Sequence, residues 1–183
     1  IPFDADLTLG IFIIPLFVFV ALATFSGGVI DGIDGLSGGV FASIFAAYSA
    51  IAFANNQIDL AAFSGVVTGA ILAFLWFNIP PARFYMGETG MMALTVTLAT
   101  LAFLTDSVLI LPMVALPLVV TSLSVIMQLL SKKFRGGKRI FRLAPLHHHF
   151  EAVGWPSYKV TMRFWIISVV FAIIGIILAI ISK

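Results

Sequence analysis

Long apolar runs separated by short polar intervals dominate this 183-residue chain. Six of the runs are long enough, or nearly so, to cross about 30 Å of hydrocarbon as helices. The predicted spans are Leu9–Phe25, Gly38–Ala54, Leu60–Phe77, Gly90–Leu104, Val108–Leu130 and Phe164–Ile181. The pattern therefore predicts an all-α, polytopic membrane helical bundle of about six transmembrane helices, organised as a single transmembrane domain over residues 1–183.

Composition supports a membrane protein. Hydrophobic residues make up 61% of the chain and charged residues only 10%, whereas about a quarter of the residues of an average globular domain are charged. The absence of cysteine excludes disulfides and thiolate metal sites. The first apolar run follows Asp4 and Asp6 instead of a basic region, which is not typical of a signal peptide. We expect the sequence to be part of a longer chain.

The positive charges cluster between Lys132 and Arg142, in the interval between the fifth and sixth predicted spans. Because Lys and Arg are enriched in cytoplasmic loops, this interval is predicted to face the cytoplasm. Six crossings then put nine of the ten Lys and Arg residues on that face. The charged residues assigned to the outer face are Asp4, Asp6, Asp59, Asp106 and Lys183. We therefore expect an active site on the cytoplasmic face.

The first cytoplasmic interval, Ser26–Gly39, carries Asp31 and Asp34 among several glycines. An ionised aspartate within a membrane segment costs roughly 2.5–3.5 kcal/mol on insertion scales, so paired carboxylates at its edge need a cation, a ligand or water. On a helical turn the two side chains would share a face. The alternative is that they cap the next helix in a hydrated loop.

The same interval contains Gly35-Leu36-Ser37-Gly38, which resembles the G-x-S-G nucleophile motif of rhomboid intramembrane proteases. That chemistry requires a histidine within hydrogen-bond reach of the serine. The three histidines of the chain lie in a polar interval and not on a facing membrane helix. The sequence therefore argues against a protease.

The second cytoplasmic interval begins where Pro80 and Pro81 end the preceding helix. Glu88 follows, just ahead of the fourth span, where Gly87 and Gly90 leave it room. A carboxylate at a helix start is stabilised by the helix macrodipole. A capping role and a ligand-binding role for Glu88 both remain open from these residues.

The third interval, Lys132–Trp155, places the basic cluster beside three consecutive histidines. The basic residues could be a topology signal or a contact with anionic lipids. Three consecutive histidines cannot all point one way on a helix, and imidazoles could bind metal or phosphate. We interpret His147, His148 and His149 as candidate functional residues.

Together the three intervals resemble the polyprenyl-phosphate sugar-1-phosphate transferases, through the motifs DGIDGL, FNIPPARFYMGETG and GGKRIFRLAPLHHHFEAVGW. The first two motifs are shared across that family. The stretch APLHHHFE followed by GW is similar to its phospho-N-acetylmuramoyl-pentapeptide transferase branch in particular. The resemblance implies that this chain is the C-terminal six of ten membrane helices, and that the family's Asp-Asp motif belongs to the other four.

The resemblance also implies a role for each matching residue. The residues matching catalytic positions are Asp31, Asp34, His147, His148 and His149, with the histidines near the phosphates. Glu88 matches the carboxylate that binds Mg²⁺. The residues matching substrate-binding positions are Asp34 near the nucleotide, Asn78 and Tyr85 near the uridine, and Gln128.

At several positions the chain departs from the family pattern. Glu88 replaces the usual Asp, and Tyr85 stands where a Phe usually stacks on uracil. Met91 replaces a Ser, and Phe25 and Gly28 occupy positions where the family commonly has Asn. These departures bear on individual contacts and on full activity more than on family membership.

The implied reaction is Mg²⁺-dependent transfer of phospho-N-acetylmuramoyl-pentapeptide from its UDP donor to undecaprenyl phosphate, giving lipid I and UMP. The implied partners are UDP-N-acetylmuramoyl-pentapeptide, undecaprenyl phosphate and the bilayer of the bacterial cytoplasmic membrane, with a homodimer left open and no nucleic acid. One alternative is a related transferase that uses UDP-N-acetylglucosamine. Another is a non-catalytic membrane fragment or transporter half whose loops only bind anionic ligands.

Overall fold

The computed structural model describes residues 10–182, which contain eight α-helices and no strand. The helices are α1 Ile13–Ser26, α2 Leu36–Ala54, α3 Ile58–Asn78, α4 Gly87–Leu104, α5 Leu111–Val114, α6 Leu116–Phe134, α7 Leu146–Ala152 and α8 Ser157–Ile181. Short 3₁₀ segments occupy Gly10–Phe12, Gly27–Ile30 and Val108–Ile110. Six helical segments are long and apolar enough to cross a membrane, which confirms the predicted all-α bundle.

Four of the predicted spans coincide closely with observed helices, and α8 begins seven residues before its predicted start at Phe164. A few of the residues named in the prediction cannot be compared with the structure. Leu9 and three residues assigned to the outer face, Asp4, Asp6 and Lys183, lie outside the described residues.

The prediction of one continuous helix over Val108–Leu130 is wrong. The structure has a 3₁₀ turn, then α5, then a break at Ala115 before α6 begins. Pro117 lies in the first turn of α6, and its ring nitrogen cannot donate to the carbonyl of Met113 four residues earlier. The spanning helix therefore starts at Leu116 and extends to Phe134.

The polar sequence of the interval that carries the histidines suggested a loop, but part of this interval is helical. Residues Leu146–Ala152 form α7, a two-turn helix that follows Pro145. The backbone N–H of Leu146 donates to Oγ of Ser124 at 2.9 Å, which attaches the first turn of α7 to α6. The histidines are therefore carried by a short helix docked on the bundle.

Helix α2 lies at the centre of the bundle and packs against α3 and α8. Its large side chains Phe41, Phe45 and Tyr48 are completely buried. On the same helix, Gly38 and Gly39 face α3 and α8 so closely that neither leaves room for a β-carbon. Small residues allow such close packing, which is a main source of helix association in membranes. This packing fixes α2 and with it the polar segment that precedes it.

Candidate active site

The aspartate loop, residues 31–35, is the point at which the three polar intervals meet. It ends at Gly35, whose φ of +73° is a left-handed conformation that glycine adopts without strain. The N–H of Gly35 donates to Oδ1 of Asn78 at 3.0 Å, and its carbonyl accepts from Nε1 of Trp165 at 3.0 Å. The carbonyl of Asp34 accepts from Oγ1 of Thr161. Helices α3 and α8 therefore hold the loop from two sides.

The two aspartates of this loop have different partners. Ser37 Oγ donates to Oδ1 of Asp31 at 2.5 Å, and the backbone N–H of Ala82 donates to Oδ2 of Asp34 at 3.1 Å. The loop lies between helices and is not itself helical, so the helical geometry that would put both carboxylates on one face does not apply. Each carboxylate has one oxygen held by the protein.

Ser37 is fully buried, and its hydroxyl is engaged with Asp31. Within residues 10–182 it makes no hydrogen bond to a histidine, unlike the Ser–His pair of a protease. The histidines instead approach the same loop one residue after Asp31. A β-carbon on Gly32 would lie 2.5 Å from Nε2 of His147 and 2.7 Å from Nε2 of His148. Only glycine fits between the aspartate loop and α7.

The three histidines lie in three different environments. His147 is completely buried, and within the described part of the chain neither of its ring nitrogens has a hydrogen-bond partner. Burial, followed by the charge of His148, lowers the pKa of His147 to about 4, so this imidazole is neutral at pH 7. His149 accepts a hydrogen bond from the backbone N–H of Arg142 through Nδ1 at 3.1 Å.

His148 is paired with Glu151, a residue to which the sequence analysis gave no separate role. Nδ1 of His148 lies 2.7 Å from Oε2 of Glu151, and Ser157 Oγ donates to Oε1 at 2.6 Å. Burial opposes ionisation of Glu151, but these two hydrogen bonds and the nearby histidine charges lower its pKa overall. The spacing of His148 and Glu151 could have indicated this pair, because residues three apart on a helix are neighbours.

Gln128 is almost fully buried near the end of α6. Its Oε1 accepts from the N–H groups of Ile140 and Phe141 at 3.0 Å each, and its Nε2 donates to the carbonyl of Phe141. Ser131 Oγ donates to the carbonyl of Lys138. The amide predicted to contact substrate thus holds the segment that follows the basic residues against α6.

Asn78 bridges two of the polar intervals. Its Oδ1 accepts from Gly35 N–H, and its Nδ2 donates to the carbonyl of Phe84 at 2.9 Å. The side chain is only 2% exposed. The residue predicted to lie near the uridine therefore sets the spacing between the aspartate loop and the segment that leads to Tyr85.

Replacing Asn78 by Leu is expected to destabilise the protein by roughly 1–3 kcal/mol for each backbone group left unpaired. Thermal unfolding of the purified protein measures this loss. Thr100→Val is the matched control, since it removes a hydroxyl whose one hydrogen bond within residues 10–182 is to the carbonyl of Val96 on its own helix. An Asn78→Leu variant as stable as the control would contradict the bridging role.

Tyr85 and Glu88 lie on the exposed edge of the second interval. Tyr85 is 70% exposed, and Glu88 is exposed in the first turn of α4. Glu88 is one turn ahead of Met91, whose side chain would lie 3.7 Å from a β-carbon added to Gly28, just before the aspartate loop. Within residues 10–182 no three Asp, Glu or His side chains are grouped closely enough to hold a metal ion. The described residues thus provide single carboxylates but not a complete set of metal ligands.

The sequence is similar to a known protein family and to several of its curated members. Residues 1–106 match the model of glycosyl transferase family 4. The chain is 41% identical over 174 residues to a phospho-N-acetylmuramoyl-pentapeptide-transferase of Anoxybacillus flavithermus, covering 94% of this chain and 53% of the relative. The relative of the same name from Heliobacterium modesticaldum is 47% identical over 149 residues, or 81% and 46% of the two chains.

A third relative of that name, from Bacillus subtilis, is 42% identical over 171 residues, which is 93% of this chain and 52% of the relative. The chain thus spans about half the length of the curated relatives that it matches. These matches confirm the resemblance seen in the three motifs. The chain belongs to glycosyl transferase family 4, among relatives of the phospho-N-acetylmuramoyl-pentapeptide-transferases.

Proposed function

We propose that the protein containing this chain transfers phospho-N-acetylmuramoyl-pentapeptide from UDP to undecaprenyl phosphate, producing lipid I and UMP. The observation that carries the proposal is the close packing of α7 on Gly32, which brings His147 and His148 beside the loop with Asp31 and Asp34. The names of the relatives support this donor over UDP-N-acetylglucosamine. Self-association into a homodimer remains a prediction.

In this reaction a phosphate oxygen of undecaprenyl phosphate attacks the β-phosphorus of the donor. A new P–O–P bond forms, the bond from the β-phosphorus to the bridging oxygen breaks, and UMP leaves with that oxygen. Such transfers depend mainly on positioning and on stabilising charge. Nε2 of His148 faces the aspartate loop and could meet a phosphate oxygen there.

Positive charge is available to attract these anions. The basic residues from Lys132 to Arg139 are all exposed. Within residues 10–182 no Lys or Arg forms an ion pair with a carboxylate. The field of these cations would concentrate an anionic substrate at the cytoplasmic edge of the bundle.

Magnesium fits the donor set that the chain offers. Mg²⁺ is usually held by one or two carboxylates together with substrate phosphates and waters, not by an all-protein cage. In the described residues Oδ2 of Asp31 and Oδ1 of Asp34 accept no hydrogen bond, and Glu88 presents an exposed carboxylate. One or two of these carboxylates would hold the ion together with substrate phosphates and waters, and the ion would neutralise phosphate charge.

The deciding experiment measures UMP release and lipid-linked product from the full-length protein in nanodiscs. The reactions contain undecaprenyl phosphate, with or without Mg²⁺, and either UDP-N-acetylmuramoyl-pentapeptide or UDP-N-acetylglucosamine. Mg²⁺-dependent product from the muramoyl donor alone is expected. Product from the second donor would favour the related transferase, and donor binding without turnover would favour a non-catalytic protein.

The cytoplasmic position of this site is tested by accessibility. A cysteine introduced at Gly136 is expected to react with a membrane-impermeant thiol reagent only from the cytoplasmic side, and one at Asn56 only from outside. The chain has no native cysteine to interfere. Labelling of both positions from the same side would contradict the charge-based topology.

A further inference from the structure

Glu151 is held from two sides at the junction of α7 and α8. Oε2 lies 2.7 Å from Nδ1 of His148, and Oε1 accepts from Oγ of Ser157, the first residue of α8, at 2.6 Å. An ionised carboxylate can only accept hydrogen bonds, so the proton in the first contact belongs to Nδ1 of His148. The contact thereby selects one tautomer of the imidazole.

This selection determines what the other ring nitrogen offers. With Nδ1 protonated, neutral His148 presents a free lone pair at Nε2, and the imidazolium presents an N–H in the same place. Nε2 faces Gly32, where a β-carbon would lie only 2.7 Å away. The Glu151 contact therefore orients Nε2 of His148 toward Gly32, the residue that follows Asp31.

The neighbouring histidines differ from His148 in the hydrogen-bond partners of their ring nitrogens. His149 accepts a backbone N–H through Nδ1, which leaves Nε2 as its protonated nitrogen when the ring is neutral. His147 has no hydrogen-bond partner at either nitrogen among residues 10–182. Among the described residues, the one close contact between a basic and an acidic side chain is that between His148 and Glu151. The triplet thus contains one histidine oriented by a carboxylate.

We propose that Glu151 is a positioning residue for phosphoryl transfer, holding His148 with Nδ1–H toward α8 and Nε2 toward the aspartate loop. The inference rests on the proposed function for its effect on turnover. Where the other nitrogen binds a metal ion, loss of a carboxylate that orients an imidazole in this way typically costs 10–100-fold, and we expect an effect of similar size here.

Two substitutions of Glu151 distinguish its orienting of His148 from an effect of its negative charge. Glu151→Gln removes the negative charge but keeps an oxygen that accepts from Nδ1–H of His148. Glu151→Leu removes the acceptor entirely. Asp59→Asn is the matched control, because Asp59 is an exposed acidic residue in the first turn of α3. All variants are made in the full-length protein and compared at equal amounts of folded protein.

The first readout is ¹⁵N NMR of histidine-labelled protein without substrates, which distinguishes Nδ1–H from Nε2–H tautomers. The signal of His148 is assigned by its loss in His148→Ala. Its Nδ1–H signature is expected in the parent, Glu151→Gln and Asp59→Asn proteins and is expected to be lost in Glu151→Leu. A purely structural role for Glu151 would not change this signature.

The second readout is steady-state UMP release. For Glu151→Leu we expect kcat to fall about 10–100-fold with little change in KM for the UDP donor, whereas Glu151→Gln should retain most of the parent kcat. A Leu variant with the parent tautomer and turnover would overturn the proposal. So would a Gln variant that keeps the tautomer yet is as slow as Leu, because charge and not position would then matter.

These readouts also separate the two proposals. If the parent protein releases no UMP with either donor, the proposed function fails. The nitrogen signature of His148 still supports or overturns the orienting contact with Glu151 in that case, since it is measured without substrate.

Discussion

Replacing Gly32 by Ala is expected to lower UMP release by roughly 100-fold or more, while the helical bundle stays folded. The added β-carbon would lie 2.5 Å from Nε2 of His147 and 2.7 Å from Nε2 of His148. Real β-carbons do not approach other heavy atoms this closely, so the two imidazoles, α7 or the aspartate loop must move. A displacement of about 1 Å within a catalytic arrangement can cost 10²-fold in rate.

The matched control is Gly69→Ala on α3, where an added β-carbon meets no atom within 4 Å. This variant should keep parent-like turnover, since alanine is also the better helix former. Both proteins are normalised to folded material by thermal unfolding. Parent-like activity of Gly32→Ala would show that the contact between α7 and the aspartate loop is not needed for catalysis.

Replacing Glu88 by Gln is expected to abolish nearly all Mg²⁺-dependent turnover in the full-length protein. Gln keeps the size of the side chain but removes the charged oxygen that a hard cation prefers. Glu88→Asp should retain part of the activity, because the ligand type survives although the reach is shorter by one methylene. UMP release as a function of Mg²⁺ concentration measures both effects.

The alternative for Glu88 is a purely structural role at the start of α4. The loss of its interaction with the helix macrodipole would then cost only about 0.3–1 kcal/mol of stability. Thermal unfolding of the same variants separates the two roles. A Gln variant with slightly lower stability and parent-like turnover would remove Glu88 from the metal site.

The membrane architecture could be predicted from the sequence because its cause is local. A backbone in hydrocarbon must satisfy its hydrogen bonds internally, so each long apolar run becomes a helix. Runs such as Gly38–Ala54 and Leu60–Phe77 therefore marked α2 and α3 to within two residues at each end. The break at Ala115 has a local cause as well, namely Pro117, but hydrophobicity alone does not reveal it.

The sequence also identified the chemically important residue types in all three polar intervals. It did not indicate which of their polar atoms would bond to one another. Asn78 and Gln128 matched substrate-binding positions, yet their amides are engaged with backbone groups of neighbouring segments. Such pairing depends on where the helices place each segment, and no spacing along the chain encodes it.

The sequence by itself thus determined the all-α membrane fold, the number of spans and the family, because apolar length and short motifs are properties of contiguous residues. Only the tertiary structure decided that Gly32 must accommodate two histidines and that Glu151 orients one of them. Contacts such as Trp165 with Gly35 join residues separated by 130 positions. They exist because close packing of α2 against α3 and α8 brings those positions together, and that packing involves the whole bundle at once.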